Sequence, residues 1–155
     1  MLSQNFIAQA KIGLAYSWVT LVTDIDATDT ILLVRNTSSK YNLCIEKITI
    51  EAASAATRVD IHCPSDVTTA LAGTAVTGVS LNRAFDLTCE ALAKADETAL
   101  AQGAIVDRTY VYANTMKEIH YGGAIELDIN KSIGIDILAE TTAVMAVIWG
   151  FFIKR

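Results

Sequence analysis

Reactive side chains are few in this chain, so their spacing sets the first question. There are 2 histidines and 3 cysteines. His62 and Cys63 are adjacent in RVDIHC. Neighbouring residues of an extended segment point to opposite faces, so this pair cannot readily share a metal ion. No C-x-x-C or H-x-x-x-H spacing occurs. The odd count of Cys44, Cys63 and Cys89 reads as free thiols of a reducing compartment. Cys63 and Cys89 fall on inward positions, where a thiol acts as a small hydrophobe. His120, beside Glu118 and Tyr121, reads as a structural histidine. Asp24, Asp26 and Asp29 in DIDATD open like a calcium loop, but an EF-hand needs Gly at its sixth position and Glu at its twelfth. Those positions hold Asp29 and Arg35. A looser calcium site and a solvated acidic turn both remain open. Gly78-Val79-Ser80-Leu81-Asn82 lacks the second glycine of a nucleophile elbow, and GTAVTG has no lysine after it. Tyr41, Tyr110, Tyr112 and Trp18 would make a sugar platform if they met on the surface; packing in the core or an interface is the favoured reading. No catalytic residue, cofactor site or metal site is expected, and the chain does not read as an enzyme.

Whatever these residues do, strands must position them. From Thr30 to Cys63 the chain runs TILLVRN, TSSK, YNLCIEKITIEAA, SAAT, RVDIHC. Strand-forming runs alternate with turn-forming breaks, the pattern of a β-meander. Ile31 to Val34 is apolar on both faces, as in a strand covered twice. Leu43 and Ile45 set an odd-numbered inward face, whereas Ile48, Ile50 and Ala52 set an even-numbered one. A period of two cannot slip without an extra residue, which predicts a bulge or sharp bend at Glu46–Lys47. Val59, Ile61 and Cys63 then point inward and Arg58, Asp60 and His62 outward, until Pro64 closes the strand.

Around this stretch, residues 11–23 alternate as a strand with Ile12, Leu14, Tyr16, Trp18, Thr20 and Val22 on one face. Before it, Leu2, Phe6 and Ala10 share a helical face, so residues 1–11 form either a short helix or an extended arm. SDVTTALAGTAVTGVSLNRA reads as a long loop. Phe85, Leu87, Cys89 and Ala91 alternate as a strand, and ALAKADETALAQG is helix or loop. Residues 105–113 form a strand with Tyr110 and Tyr112 on one face. Lys117–Tyr121 and Ala124–Ile129 flank a Gly122–Gly123 hairpin turn or bulge. Asn130–Lys131 turns the chain into Ile133, Ile135 and Ile137. TTAVMAVIWGFFIK is apolar on both faces and needs two covers, one being the core and the other a partner subunit or the N-terminal arm. The total is eight to ten short strands in one domain, 12–155, an antiparallel β-sandwich or barrel.

Composition bounds the partners. Of 155 residues 52% are hydrophobic and 19% charged, with a net charge of −5. The acidic balance argues against nucleic acid. The longest apolar run, Ala143–Ile153, is too short for a helix that spans a bilayer, which needs about 20 residues. MLSQNFIAQAK lacks the basic lead and apolar core of a secretory signal. The apolar excess finds its simplest outlet in a subunit interface.

The run TILLVRNTSSKYNLCIEKITIEAAS, the loop GTAVTGVSLNRA, the late Gly-Gly and the final strand with Trp149 resemble the small jelly-roll structural proteins of tailed bacteriophage virions. The matching positions are Leu33 to Asn36, Leu43 to Ile50, Gly73 to Arg83, and Trp149. Such chains often finish in a polar end, whereas this one runs Trp149-Gly150-Phe151-Phe152, which leaves its place in head, tail or fibre open. The resemblance implies a jelly-roll sandwich located in the virion, trimeric, cementing the major capsid protein or another virion protein by multivalent contacts. The alternative is a tail or fibre component that binds a host glycan. Leu2, Phe6, Ile7, Ile148, Phe151 and Phe152 are the expected contacts to other subunits or the shell.

Overall fold

The computed structural model describes residues 1–23, 30–66, 68–85, 87–138 and 143–155. One helix, α1 (Gln4–Lys11), precedes eleven strands among them: β1 (Ala15–Val22), β2 (Thr30–Asn36), β3 (Tyr41–Ala52), β4 (Thr57–Cys63), β5 (Thr74–Val76), β6 (Val79–Ser80), β7 (Ala91–Glu97), β8 (Ala104–Val111), β9 (Thr115–Leu127), β10 (Ser132–Ile137) and β11 (Val144–Lys154). They form a five-stranded sheet, β6-β1-β11-β3-β9, and a six-stranded sheet, β5-β7-β2-β10-β4-β8. All named pairings are antiparallel. With β5, β6 and β7 set aside, the orders are 1-11-3-9 and 2-10-4-8, in which the chain crosses between sheets as a jelly roll does. The all-β sandwich is as expected. The strand count exceeds eight to ten because β5 and β6 hold only 3 and 2 residues.

The core lies between the sheets. It is filled by the alternating faces of β1 (Tyr16, Trp18), β3 (Leu43, Ile45, Ile48, Ile50), β10 (Ile133, Ile135, Ile137) and β11 (Ala146, Ile148, Phe152). The phase slip in β3 is a bulge. Against β11 the register steps from Trp149–Lys47 to Gly150–Ile45, which leaves Glu46 as the extra residue. Gly122 and Gly123, at φ 59° and 85°, form a second bulge opposite it. The Gly-Gly pair therefore bends one continuous strand, β9, rather than turning a hairpin.

Three segments differ from expectation. ALAKADE is a strand, β7, because Ala93 and Ala95 are buried against the core, and tertiary packing overrides alanine's helix preference. Residues 85 and 87–90 lie outside the strands, with Phe85 and Leu87 exposed. At the N-terminus the helix is formed. Its end takes in Ile12, which caps α1 and is exposed instead of joining β1.

Candidate functional site

Polar chemistry concentrates on the outer face of the six-stranded sheet. Alternation places Arg58, Asp60 and His62 of β4 there, as read from the sequence. Solvent does not reach the last two, however: Asp60 and His62 are each 0% exposed. The segment 98–103 is bonded to both side chains and brings in buried Leu100, whose neighbours are small or uncharged. The outward placement agrees with the sequence reading, and this extra layer keeps solvent from Asp60 and His62.

His62 is held from both ring nitrogens. Its Nδ1 accepts the Gly103 N–H at 3.1 Å, so the neutral ring carries its proton on Nε2. Nε2 lies 2.8 Å from Asp136 Oδ1 and 3.3 Å from Thr30 Oγ1. Thr30 donates its own proton to Asp136 at 2.7 Å. Gly134 makes room: a Cβ there would stand 2.5 Å from His62 Nε2 and 2.8 Å from Thr30 Cγ2. A threonine, a histidine and an aspartate together suggest nucleophilic catalysis, but the connectivity differs. A catalytic relay needs a free ring nitrogen facing the hydroxyl and the carboxylate on the other nitrogen. Here hydroxyl and carboxylate share Nε2, and Nδ1 is occupied. The cluster joins β2, β4 and β10 to the covering segment; it does not activate Thr30.

Neighbouring groups extend the seal. Arg108 donates to both Asp60 oxygens at 2.6 Å, and Gln102 donates to one at 3.4 Å. The hydrogen bonds from Arg108 outweigh burial and hold the Asp60 carboxyl below its usual range. Glu97, fully buried, accepts the N–H groups of Ala72, Gly73 and Ala99. Arg35 donates to Ser132 Oγ at 3.0 Å and to the Thr69 carbonyl at 2.8 Å. Asp66 accepts from the backbone and side chains of Thr68 and Thr69, which hold its carboxyl far below the usual range.

The remaining candidates are separate. Cys44, Cys63 and Cys89 are free. Burial pushes Cys44 and Cys89 up to about 11, and raises Cys63. Cys63 and Cys89 pack against the main core, as the core-filler reading has it. His120 lies 3.3 Å from Glu118, which also takes a 2.6 Å bond from Lys47. Among the described residues no group of three or more metal-ligating side chains comes together, and no helix is long and apolar enough to cross a membrane. Asp24, Asp26 and Asp29 lie outside the described residues. The four aromatic rings do not make one platform: Trp18 is buried and Tyr41 packs on the core beside Phe152, while Tyr110 and Tyr112 are 60% and 69% exposed.

The expected contact residues divide between core and surface. Ile148 and Phe152 belong to the main core, Phe152 meeting Tyr16 edge-on at 5.7 Å. Phe151 faces the other way, and Phe6 of α1 meets it edge-on at 6.0 Å, with Trp149 at 6.2 Å. Phe6, Ile148, Phe151 and Phe152, read as contacts to other subunits or the shell, are all buried within the chain itself. The second cover of β11 at this end is the chain's own helix. The bulge at Glu46 serves the same joint: its buried carboxylate accepts Ser3 N–H at 2.5 Å and Ser3 Oγ–H at 2.6 Å. Ser3 Oγ in turn caps the helix by accepting the Phe6 N–H. Ile7, 46% exposed, and partly buried Leu2 stay at the surface. With Ala10, Leu81 and Trp149 they line an open apolar groove of about 420 Å³. Val19 and Leu21, exposed on β1, add apolar surface to the outer face of the same sheet.

Sequence reasoning missed Thr30, Glu97 and Asp136. The available signal was the uncharged segment TALAQG, apolar enough to lie over polar side chains.

Fold and site together define a jelly-roll sandwich with one sheet sealed by a buried polar layer and the other faced by a helix and an apolar groove. No protein-family model matches the chain, and neither a curated protein nor a solved structure matches it.

Proposed function

We propose that the chain is a structural protein of a virion, of the capsid decoration or cement type, acting as a homotrimer that binds the major capsid protein. The groove beside α1 carries this reading. It sets Leu2 and Ile7 of the N-terminal segment beside Trp149, on the face of the sheet that also exposes Val19 and Leu21. Contiguous exposed apolar surface marks a contact site. The acidic net charge of −5 suits a molecule that meets partners through such a patch and repels its copies elsewhere. Multivalent attachment would make weak individual contacts additive. The test compares particles assembled with and without the chain. Bound protein should raise the temperature at which shells break, and Ile7→Asp should abolish both binding and protection. Shells equally resistant to heat without it end the reading.

A second reading, a tail or fibre component that binds a host glycan, is favoured by the two exposed tyrosines at the end of β8. A glycan array probed with wild-type and Tyr110→Ala protein separates the two.

A further inference from the structure

We propose that His62 is an acid-sensitive latch whose protonation lifts the segment 98–103 off the six-stranded sheet. Hydrogen-bond connectivity around the ring carries this, independently of the function proposed above. In the neutral ring Nδ1 is an acceptor and receives the Gly103 N–H. The imidazolium carries a proton on both nitrogens. Nδ1–H then confronts Gly103 N–H across 3.1 Å, two donors with no acceptor between them.

The ring has no easy escape. Nε2 is held 2.8 Å from Asp136 Oδ1 and 3.3 Å from Thr30 Oγ1. Thr30 and Gly134 wall the same side, since even an added Cβ at Gly134 would come within 2.5 Å of Nε2. Gly103 also abuts the β4 backbone, since a Cβ built on it would stand 2.0 Å from the Cys63 carbonyl oxygen. The chain at Gly103 must move outward.

Other charges around the ring do not supply the missing acceptor. Asp60, the next outward residue on β4, is engaged by Arg108 of β8 and Gln102. Arg35 of β2 is spent on Ser132 and the backbone carbonyls of Asp66 and Thr69. Glu97, at the root of the segment, accepts three backbone N–H groups. Residues 98–103 carry no charge themselves. Lifting the segment frees Nδ1–H and Gly103 N–H to meet water, so acid favours the open form.

The test is amide hydrogen exchange on the full chain at pH 7.5 and pH 5.0, corrected for the intrinsic pH dependence of exchange, with ring protonation followed by NMR of labelled histidine. Protection of Gly103 should fall at least tenfold at the lower pH while β10 amides keep theirs. In His62→Gln, whose amide has no proton to gain, the drop should vanish. Gly103 protection that persists while NMR shows the ring doubly protonated overturns the latch. So does a ring that stays neutral at pH 5.0, or an equal loss of protection in His62→Gln. Should that variant fail to fold, the wild-type NMR and exchange pair decides alone.

Discussion

Replacing Phe6 by alanine should detach the helix and leave the sandwich standing. Phe6 is the one residue of α1 that is buried, and it seals Phe151 and Trp149 on the outer face of β11. Truncating a buried phenylalanine costs about 3–5 kcal/mol. An 8-residue helix has little stability of its own once undocked. The loss therefore falls on the local equilibrium between docked and free helix rather than on the whole fold. Taking about 3 kcal/mol, at about 1.4 kcal/mol per tenfold, the undocked population rises roughly a hundredfold. Lys11, in the last turn of α1, reports it. Trypsin should cut after Lys11 about a hundred times faster in Phe6→Ala, provided cleavage tracks the open population. The remaining product should keep its strand circular dichroism. Unchanged cleavage at Lys11 would refute the view that Phe6 anchors the helix, and cooperative loss of the sheets would refute its separateness.

Other outcomes follow from the same geometry. Ser3→Ala removes both hydroxyl bonds of the cap and leaves one buried Glu46 oxygen short of a donor, which should cost about 1–3 kcal/mol at α1, read by the same cleavage. Gly134→Ala drives a methyl group into His62 and Thr30 and should lower stability by about 1–3 kcal/mol in chemical denaturation. The Asp60 carboxyl is held below its ordinary value, so its contribution is present above about pH 4 and is lost as pH falls through the folded-state value. Asp60→Asn should flatten the acid limb of a denaturation profile measured below pH 4. With their ionisation pushed up to about 11, Cys44 and Cys89 should resist a thiol reagent at pH 8 in the folded chain and react at once in denaturant.

The sandwich was legible because alternation is a local signal. Ile133, Ile135 and Ile137 could face only one way, and the odd-to-even slip between Ile45 and Ile48 announced the bulge at Glu46. What the bulge is for was not legible, because Ser3 lies 43 residues away and nothing local ties the two. Separation along the chain also hid the polar layer. Asp60, His62 and Asp136 alternate with isoleucines and valines as a solvated face would. Only the tertiary position of 98–103 turns that face into an interior. The two-sided apolarity of β11 was read as a demand for a second cover, with partner and N-terminal arm both admissible. Phe6 decides for the chain's own helix at the Phe151 end, a contact no periodicity could rank.

That assignment also narrows how the subunit can meet another. The flank of the sandwich exposes two edge strands, β9 and β8, and an open edge invites pairing with a further strand. Both edges are interrupted. On β9 residues 121–124 stand opposite Glu46 alone, with two positive-φ glycines, and on β8 Val106 is the extra residue between the His62–Ile105 and Ile61–Asp107 pairs. Bulges of this kind break the straight ladder that a partner strand would need. Lys117 and Glu118 add charge near the start of β9. Edge addition is therefore disfavoured along this flank, and on the six-stranded sheet the segment 98–103 covers Asp60 and His62. The outer face of the five-stranded sheet offers a different kind of contact, where Ile7, Val19 and Leu21 present side chains rather than backbone. A partner bound there would be recognised by shape and apolar fit, so salt should leave its affinity nearly unchanged. Binding that weakens steeply with salt would place the contact on the charged flank instead.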